Sequence, residues 1–192
     1  RLPRGRVVAL DASPSMLDQA RKRLGDDQVE YVQADLGAPL PIEPVDAVFS
    51  TATFHWVPDH DALFTHLGAA MRPGAALVAQ CGGTGNIASV QAALRQIDDG
   101  WEGPVHFAGP DETTLRLVAA GFVDISVWLT PEPTAFEPGE EIETFLATVV
   151  LGHHLERLPA GERPGFVRAV AEALPAPEID YVRLNITARR PG

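Results

Sequence analysis

Residues 6–13, RVVALDAS, constrain the fold more than any other stretch of this chain. An unbroken apolar run, 7–10, ends in Asp11 and passes within two residues into a helix start. Continuous rather than alternating hydrophobicity marks a parallel strand covered on both faces. Ser13 suits an N-cap and Pro14 a first helical turn. Leu17, Ala20 and Leu24 then recur at helical spacing until Gly25 stops them. A strand that feeds straight into a helix belongs to an α/β sheet, because parallel neighbours are reached through such crossovers.

The alternation continues. Residues 29–33 read as a second strand, closed by Ala34, Asp35 and Leu36, and 45–50 as a third after a proline-rich turn at 38–44. A loop, 51–58, precedes a helix with Leu63, Phe64, Leu67, Ala70 and Met71 on one face. Arg72, Pro73 and Gly74 suit a turn before a strand at 75–81. Ile87, Val90, Leu94 and Ile97 mark another helix, 114–120 a short one, and 122–129 a strand. The pattern then changes to helix across 130–178, with stripes at Ile142, Phe145, Leu146 and Val149 and at Phe166, Val170 and Leu174. Finally 179–188 alternates, with Val182, Leu184, Ile186 and Ala188 on one side, as an antiparallel strand does. The expectation is one domain, 1–192: a Rossmann-like, mostly parallel α/β sheet with an antiparallel C-terminal strand and a helical insertion at 130–178. In such sheets the strand-tip acid usually follows the second strand. A first strand and its glycine-rich turn are therefore expected upstream of Arg1, missing from this chain.

Composition narrows the class. The 192 residues are 45% hydrophobic, which suits a globular fold. No apolar run reaches the roughly 18 residues of a membrane span. A net charge of −11 argues against nucleic acid as a partner, since phosphates call for a basic footprint. Arg21, Lys22 and Arg23 fall in the last turn of a helix, where cations suit the dipole. The single cysteine, Cys81, excludes an internal disulfide framework and a cysteine zinc site, and points to a cytoplasmic setting. No His, Cys or carboxylate cluster has metal-ligand spacing.

Five segments in order carry a resemblance: VVALDASPSMLDQA, YVQADL, VDAVFS, FHWVPD and MRPGAALV. Together they resemble the class I S-adenosylmethionine-dependent methyltransferases, and among them the trans-aconitate methyltransferase-like group. The resemblance implies S-adenosylmethionine as cofactor and a small molecule as methyl acceptor. Asp11 is placed to accept both ribose hydroxyls, although an acid entering a helix beside Ser13 has a structural use too. The resemblance puts Ala12 and Met16 on either side of the adenine; Met16 on a helix is equally a core filler. Asp35 is placed to accept from the adenine amino group while the Leu36 N–H meets a ring nitrogen, although an aspartate before Gly37 also suits a turn. The carbonyls of Ser50 and Thr51, at a strand's carboxyl end, would face the methionine ammonium. His55 and Trp56 lie in the loop above. Trp56 offers an aromatic face to a sulfonium or equally a purely structural contact, and His55 offers either a base or a packing contact.

Other signals are weaker. Gly82, Gly83, Thr84 and Gly85 suggest a phosphate loop but lack its Lys-Ser/Thr, so a turn is expected. His153 continues the Ile142–Leu146–Val149 face and reads as a core histidine, while His154 remains a second candidate base. A tricarboxylate acceptor would need converging cations, for which Arg157 is a candidate. Two other readings stay open. An NAD-dependent oxidoreductase shares Asp11 but not Asp35–Leu36. An inactive, partner-binding fragment, or a homo-oligomer, is also compatible with the sequence.

Overall fold

A computed structural model describes residues 5–25, 27–97 and 101–192. The order is β1 (Val7–Asp11), α1 (Pro14–Leu24), β2 (Val29–Gln33), β3 (Val45–Thr51), a 3₁₀ turn (Phe54–Trp56) and α2 (His60–Ala70). Next come β4 (Met71–Gly82), α3 (Ala88–Ile97), α4 (Pro110–Ala119) and β5 (Val123–Pro131). The remainder comprises β6 (Thr134–Ala135), α5 (Glu140–Phe145), a π-helical stretch (Leu146–Val150), α6 (Gly152–Glu156), α7 (Arg163–Ala173), β7 (Glu178–Ile179) and β8 (Val182–Arg189).

Local chemistry sets the helix starts. The Ser13 hydroxyl accepts the Met16 N–H at 3.4 Å, and Pro14 occupies the first turn of α1. Asp59 caps α2, accepting the N–H groups of Asp61 and Ala62, each at 3.0 Å. Each cap satisfies donors that have no partner inside the helix.

The strands form a parallel pair β1–β2, a four-stranded sheet in the order β3-β4-β8-β5, and a small antiparallel pair β6–β7. Strands β3 and β4 are parallel, while β8 runs antiparallel to both β4 and β5. The C-terminal strand thus lies against the direction of its neighbours, as its alternation predicts. One face of the larger sheet presents Leu77, Ala79, Leu184 and Ile186 to Leu63, Phe64 and Leu67 of α2 and Leu117 of α4. A second core joins α3 to the helical region through Val90, Leu94, Ile142, Leu146, Leu151 and Val170.

Several expectations need correction. Strand β1 is not covered on both faces, and Val7 is partly exposed. Among the described residues β1 bonds only to β2, and β3 only to β4. Phe49 of β3 is accordingly 79% exposed. The turn expected at Arg72, Pro73 and Gly74 lies inside β4, absorbed by a register shift against β3. Gly74 has φ +78, and its N–H bonds to Arg190 O at 3.0 Å. The helix expected at 114–120 begins at Pro110, with Gly109 as N-cap. The region 130–178 is not wholly helical: Thr130 and Pro131 extend β5, and β6 pairs with β7 at its two ends. Asp180 and Tyr181 interrupt the last strand.

Candidate active site

The carboxyl end of β3 leads into a tightly held turn. Ala52 has φ +54, a conformation that costs a side-chain-bearing residue energy. Its N–H is bound to Gln80 O at 2.8 Å. The Thr53 hydroxyl donates to Thr51 O at 3.0 Å. Phe54 is buried edge-on against Phe64, with ring centroids 6.0 Å apart. Its carbonyl accepts from His60 Nε2 at 2.9 Å, and the His55 carbonyl accepts the His106 N–H at 2.8 Å. His60 is buried, so its one hydrogen bond fixes the turn from below; nothing in the sequence signalled that role.

These bonds position the His55 ring, and one more sets its proton. The Gly82 N–H donates to His55 Nδ1 at 3.2 Å. Nδ1 therefore carries a lone pair, and in the neutral ring the proton sits on Nε2. Burial, then the charges of Arg183 and His60, lowers the pKa of His55 from 6.5 to about 4. At neutral pH His55 is an N–H donor with no free acceptor nitrogen. Of the two uses the sequence leaves open for His55, base or packing contact, this geometry presents a hydrogen-bonded ring with an N–H to offer.

A cavity of about 240 Å³ opens beside the turn. Ala52, His55 and Trp56 border it on one side, and Val90 and Leu94 of α3 on another. Val149, Val150 and Leu151 close it from the helical region, and Tyr181 and Arg183 from the start of β8. The turn after β3 and the region 130–178 thus meet at one cavity. An aromatic row runs along it: His153 to Trp56 at 5.3 Å, Trp56 to His55 at 5.0 Å, and His55 to Phe107 at 5.7 Å between ring centroids.

Of the two helical histidines it is His154, not His153, that is buried. His154 is 6% exposed and its Nε2 bonds to Trp101 O at 2.9 Å, whereas His153 is half exposed and pairs with Glu156. The cause is the π-helical stretch. Its wider turn adds one residue to the Ile142–Leu146 stripe. Leu151 and then His154 fall on the buried face, and Val149 turns outward. Arg157 lies over the Trp101 ring at 4.3 Å and does not line the cavity. The cation that does is Arg183, which the sequence reading passed over. Its signal was its position, out of phase between Val182 and Leu184.

The remaining candidates sit at strand ends. Asp11 ends β1 and Asp35 follows β2, so both lie at the carboxyl end of one parallel pair. Asp11 Oδ1 accepts the Ser13 N–H at 2.8 Å and Asp35 Oδ1 the Gly37 N–H at 2.8 Å. The second oxygen of each carboxylate has no protein partner among the described residues. Ala12 is exposed beside them, and Met16 is 53% exposed, so Met16 is not core filler. Ser50 and Thr51 close β3. None of Asp11, Ala12, Met16, Asp35, Leu36, Ser50 and Thr51 lines the cavity; Ala52, next after Thr51, does. The glycine run is a turn. Gly82 N–H serves His55, Gly83 N–H bonds Val182 O at 2.9 Å and Thr84 N–H bonds Ala108 O at 3.1 Å. Those amides cannot also cradle a phosphate. Among the described residues no group of His, Cys, Asp or Glu is placed to hold a metal ion. No helix among them is long and apolar enough to cross a membrane.

Comparison with known proteins gives this geometry a family. A methyltransferase-domain family model matches residues 1–79. The trans-aconitate 2-methyltransferase of Azoarcus sp. is 30% identical over 184 residues, covering 92% of this chain and 71% of that protein. The chain belongs to the trans-aconitate methyltransferase group. The same-named enzyme of Paracidovorax citrulli is 29% identical, over 99% of this chain and 80% of its own. Among solved structures, a protein from Bacillus halodurans assigned as a methyltransferase superposes with a TM-score of 0.66 at 17% identity, over 97% of this chain and 84% of that one. A Haemonchus contortus phosphoethanolamine N-methyltransferase bound to S-adenosylhomocysteine gives a TM-score of 0.61 at 20% identity, over 97% of this chain and 44% of that one. At such identities the likeness is one of fold. As a class I S-adenosylmethionine-dependent methyltransferase, the chain transfers a methyl group from that cofactor to a small molecule. The oxidoreductase reading falls away with this assignment.

Proposed function

We propose that this methyltransferase, read as one domain over 1–192, esterifies a carboxylate oxygen of a small acid in the cavity beside His55. The observation that carries the reading is the Gly82 N–H on His55 Nδ1, which makes the ring a donor. A carboxylate needs no deprotonation before it attacks, so a pocket with a neutral donor suits it. S-adenosylmethionine supplies an activated methyl group: the O–CH₃ bond forms as the C–S bond breaks, and its electron pair goes to sulfur. The protein has only to align the acceptor and exclude water, which can be worth about 7–11 kcal/mol.

Asp11 would hold the ribose hydroxyls through its unpartnered oxygen, and Asp35 with the Leu36 N–H would read the adenine edge. Ala12 and Met16 would flank that ring. Ser50 and Thr51 would face the amino-acid end, and Trp56 the positive centre. The helical region 130–178 would shape the acceptor side. The Azoarcus relative is named for an acid, trans-aconitate, and a carboxylate acceptor accords with that name. A cytoplasmic setting fits the single cysteine, Cys81, which is buried and unpaired.

The test is the pH profile of methyl-ester formation for His55→Gln against the parent. The pKa of His55 is lowered, to about 4, so the ring stays neutral at every pH above that value. Turnover of the parent should show no ionisation limb from His55 across about pH 5–8. Glutamine keeps an N–H donor and should retain most of the activity. A limb near the ordinary histidine pKa that disappears in His55→Gln would restore His55 as a base and overturn the carboxylate reading.

A further inference from the structure

Among the described residues, one permanent cation lines the cavity, Arg183. Its guanidinium lies 4.0 Å over the Tyr181 ring, and Nε sits 3.5 Å from the half-exposed carboxylate of Glu132. The ion pair runs through Nε, and among the described residues no hydrogen bond engages either Nη atom. An ion pair with a half-exposed carboxylate is weak, so Glu132 steadies the side chain more than it consumes its charge. Stacking on Tyr181 fixes the plane of the guanidinium, and a fixed fork is what binds a carboxylate through two hydrogen bonds.

The other charged lining residue is acidic. Glu102 borders the cavity and is engaged by Arg95. Much of the wall between is apolar, from Val90, Leu94, Val149 and Leu151, with Phe107 and Trp56 supplying aromatic surface; Gln91 and His153 are polar members of the lining. A tricarboxylate in this cavity would bring three negative charges to one guanidinium, with Glu102 opposing. Uncompensated buried charge is strongly unfavourable. A single carboxylate on an apolar body suits the one guanidinium and these apolar walls.

Resting on the carboxylate-esterification reading, we infer that the acceptor is an apolar monocarboxylic acid whose carboxylate is held by Arg183, with the His55 Nε2–H as second donor. Arg183 then sets specificity by counting charges rather than by size. The same arrangement handles the product. Esterification removes the negative charge, so the neutral ester loses its hold on the guanidinium and leaves.

The test is calorimetric binding to the full chain without cofactor, using 3-phenylpropanoate, its methyl ester and trans-aconitate. The acid should bind, with the ester and trans-aconitate each about tenfold weaker or more. Arg183→Gln should weaken the acid by about tenfold or more while leaving the ester unchanged, and Arg183→Lys should fall between. Thermal midpoints of both variants separate lost binding from lost folding. Tighter binding of trans-aconitate than of the monoacid, no binding of the monoacid, or indifference of the acid to Arg183→Gln would each overturn the inference. Methyl transfer is scored separately. Acid binding that depends on Arg183 but yields no ester would sink the esterification reading and leave the anion site standing. Ester formation from trans-aconitate, indifferent to Arg183, would do the reverse.

Discussion

The proton on His55 is decided by a glycine. Gly82 lends its N–H to Nδ1, and no larger residue fits there: a Cβ at Gly82 would lie 2.7 Å from the Phe107 ring and 2.8 Å from the Asn86 side-chain nitrogen. Phe107 is also the end of the aromatic row that includes His55. Gly82→Ala should therefore push the ring and the amide away from His55 together. The expected result is a loss of about 1–3 kcal/mol in denaturant unfolding and a raised His55 pKa, followed by NMR titration of the imidazole. An unchanged titration would mean that the Gly82 bond does not set the tautomer. Residue types alone revealed Asp11, Asp35 and His55 as candidates, because strand tips and helix starts leave local signatures. They did not reveal Arg183 or the His60 bond to Phe54 O, because both depend on which distant segment arrives opposite.

At the level of elements, the helical region shows how a single inserted residue redistributes roles. Periodicity carried correctly through Ile142 and Leu146, both fully buried. The π-helical stretch then adds a residue, so an α-helical count projects His153 inward where the structure has His154. Nothing in Leu146–Val150 announces that wider turn, since Ala, Thr and Val sit equally well in either helix. Replacement separates the two histidines. His154→Ala removes a buried ring and its bond to the Trp101 carbonyl, and should cost about 2–4 kcal/mol in unfolding. His153→Ala removes a half-exposed ring and should stay within about 0.5 kcal/mol. Equal losses would show that the stripe runs on unshifted. The sheet was more legible than the helices: each long strand lies within a few residues of its apolar run. The exception, β4, begins early because Met71 is buried in the same core as α2.

Across the whole molecule, the candidate cofactor site is divided between two sheets. Asp11 and Asp35 sit on the β1–β2 pair, while Ser50, Thr51 and the turn after them belong to the sheet that starts at β3. Among the described residues no strand ladder joins the two. Leu36 and Leu40 pack against the larger core and supply the apolar link. A ligand spanning both sheets must hold them in register itself, and ordering a loosely joined unit opposes binding. Each hydrogen bond made across the division contributes only about 0.5–1.5 kcal/mol net. Titration calorimetry of this chain with S-adenosylmethionine should therefore give a dissociation constant weaker than about 10 μM. Asp11→Ala should weaken it further by about tenfold, because a ribose loses its charged acceptor. Ser15→Ala, whose hydroxyl meets Ser13 Oγ at 2.9 Å, should change it little. Submicromolar binding by the parent would mean that packing through Leu36 and Leu40 already fixes the two sheets. Equal affinities for the two variants would remove Asp11 from the ribose.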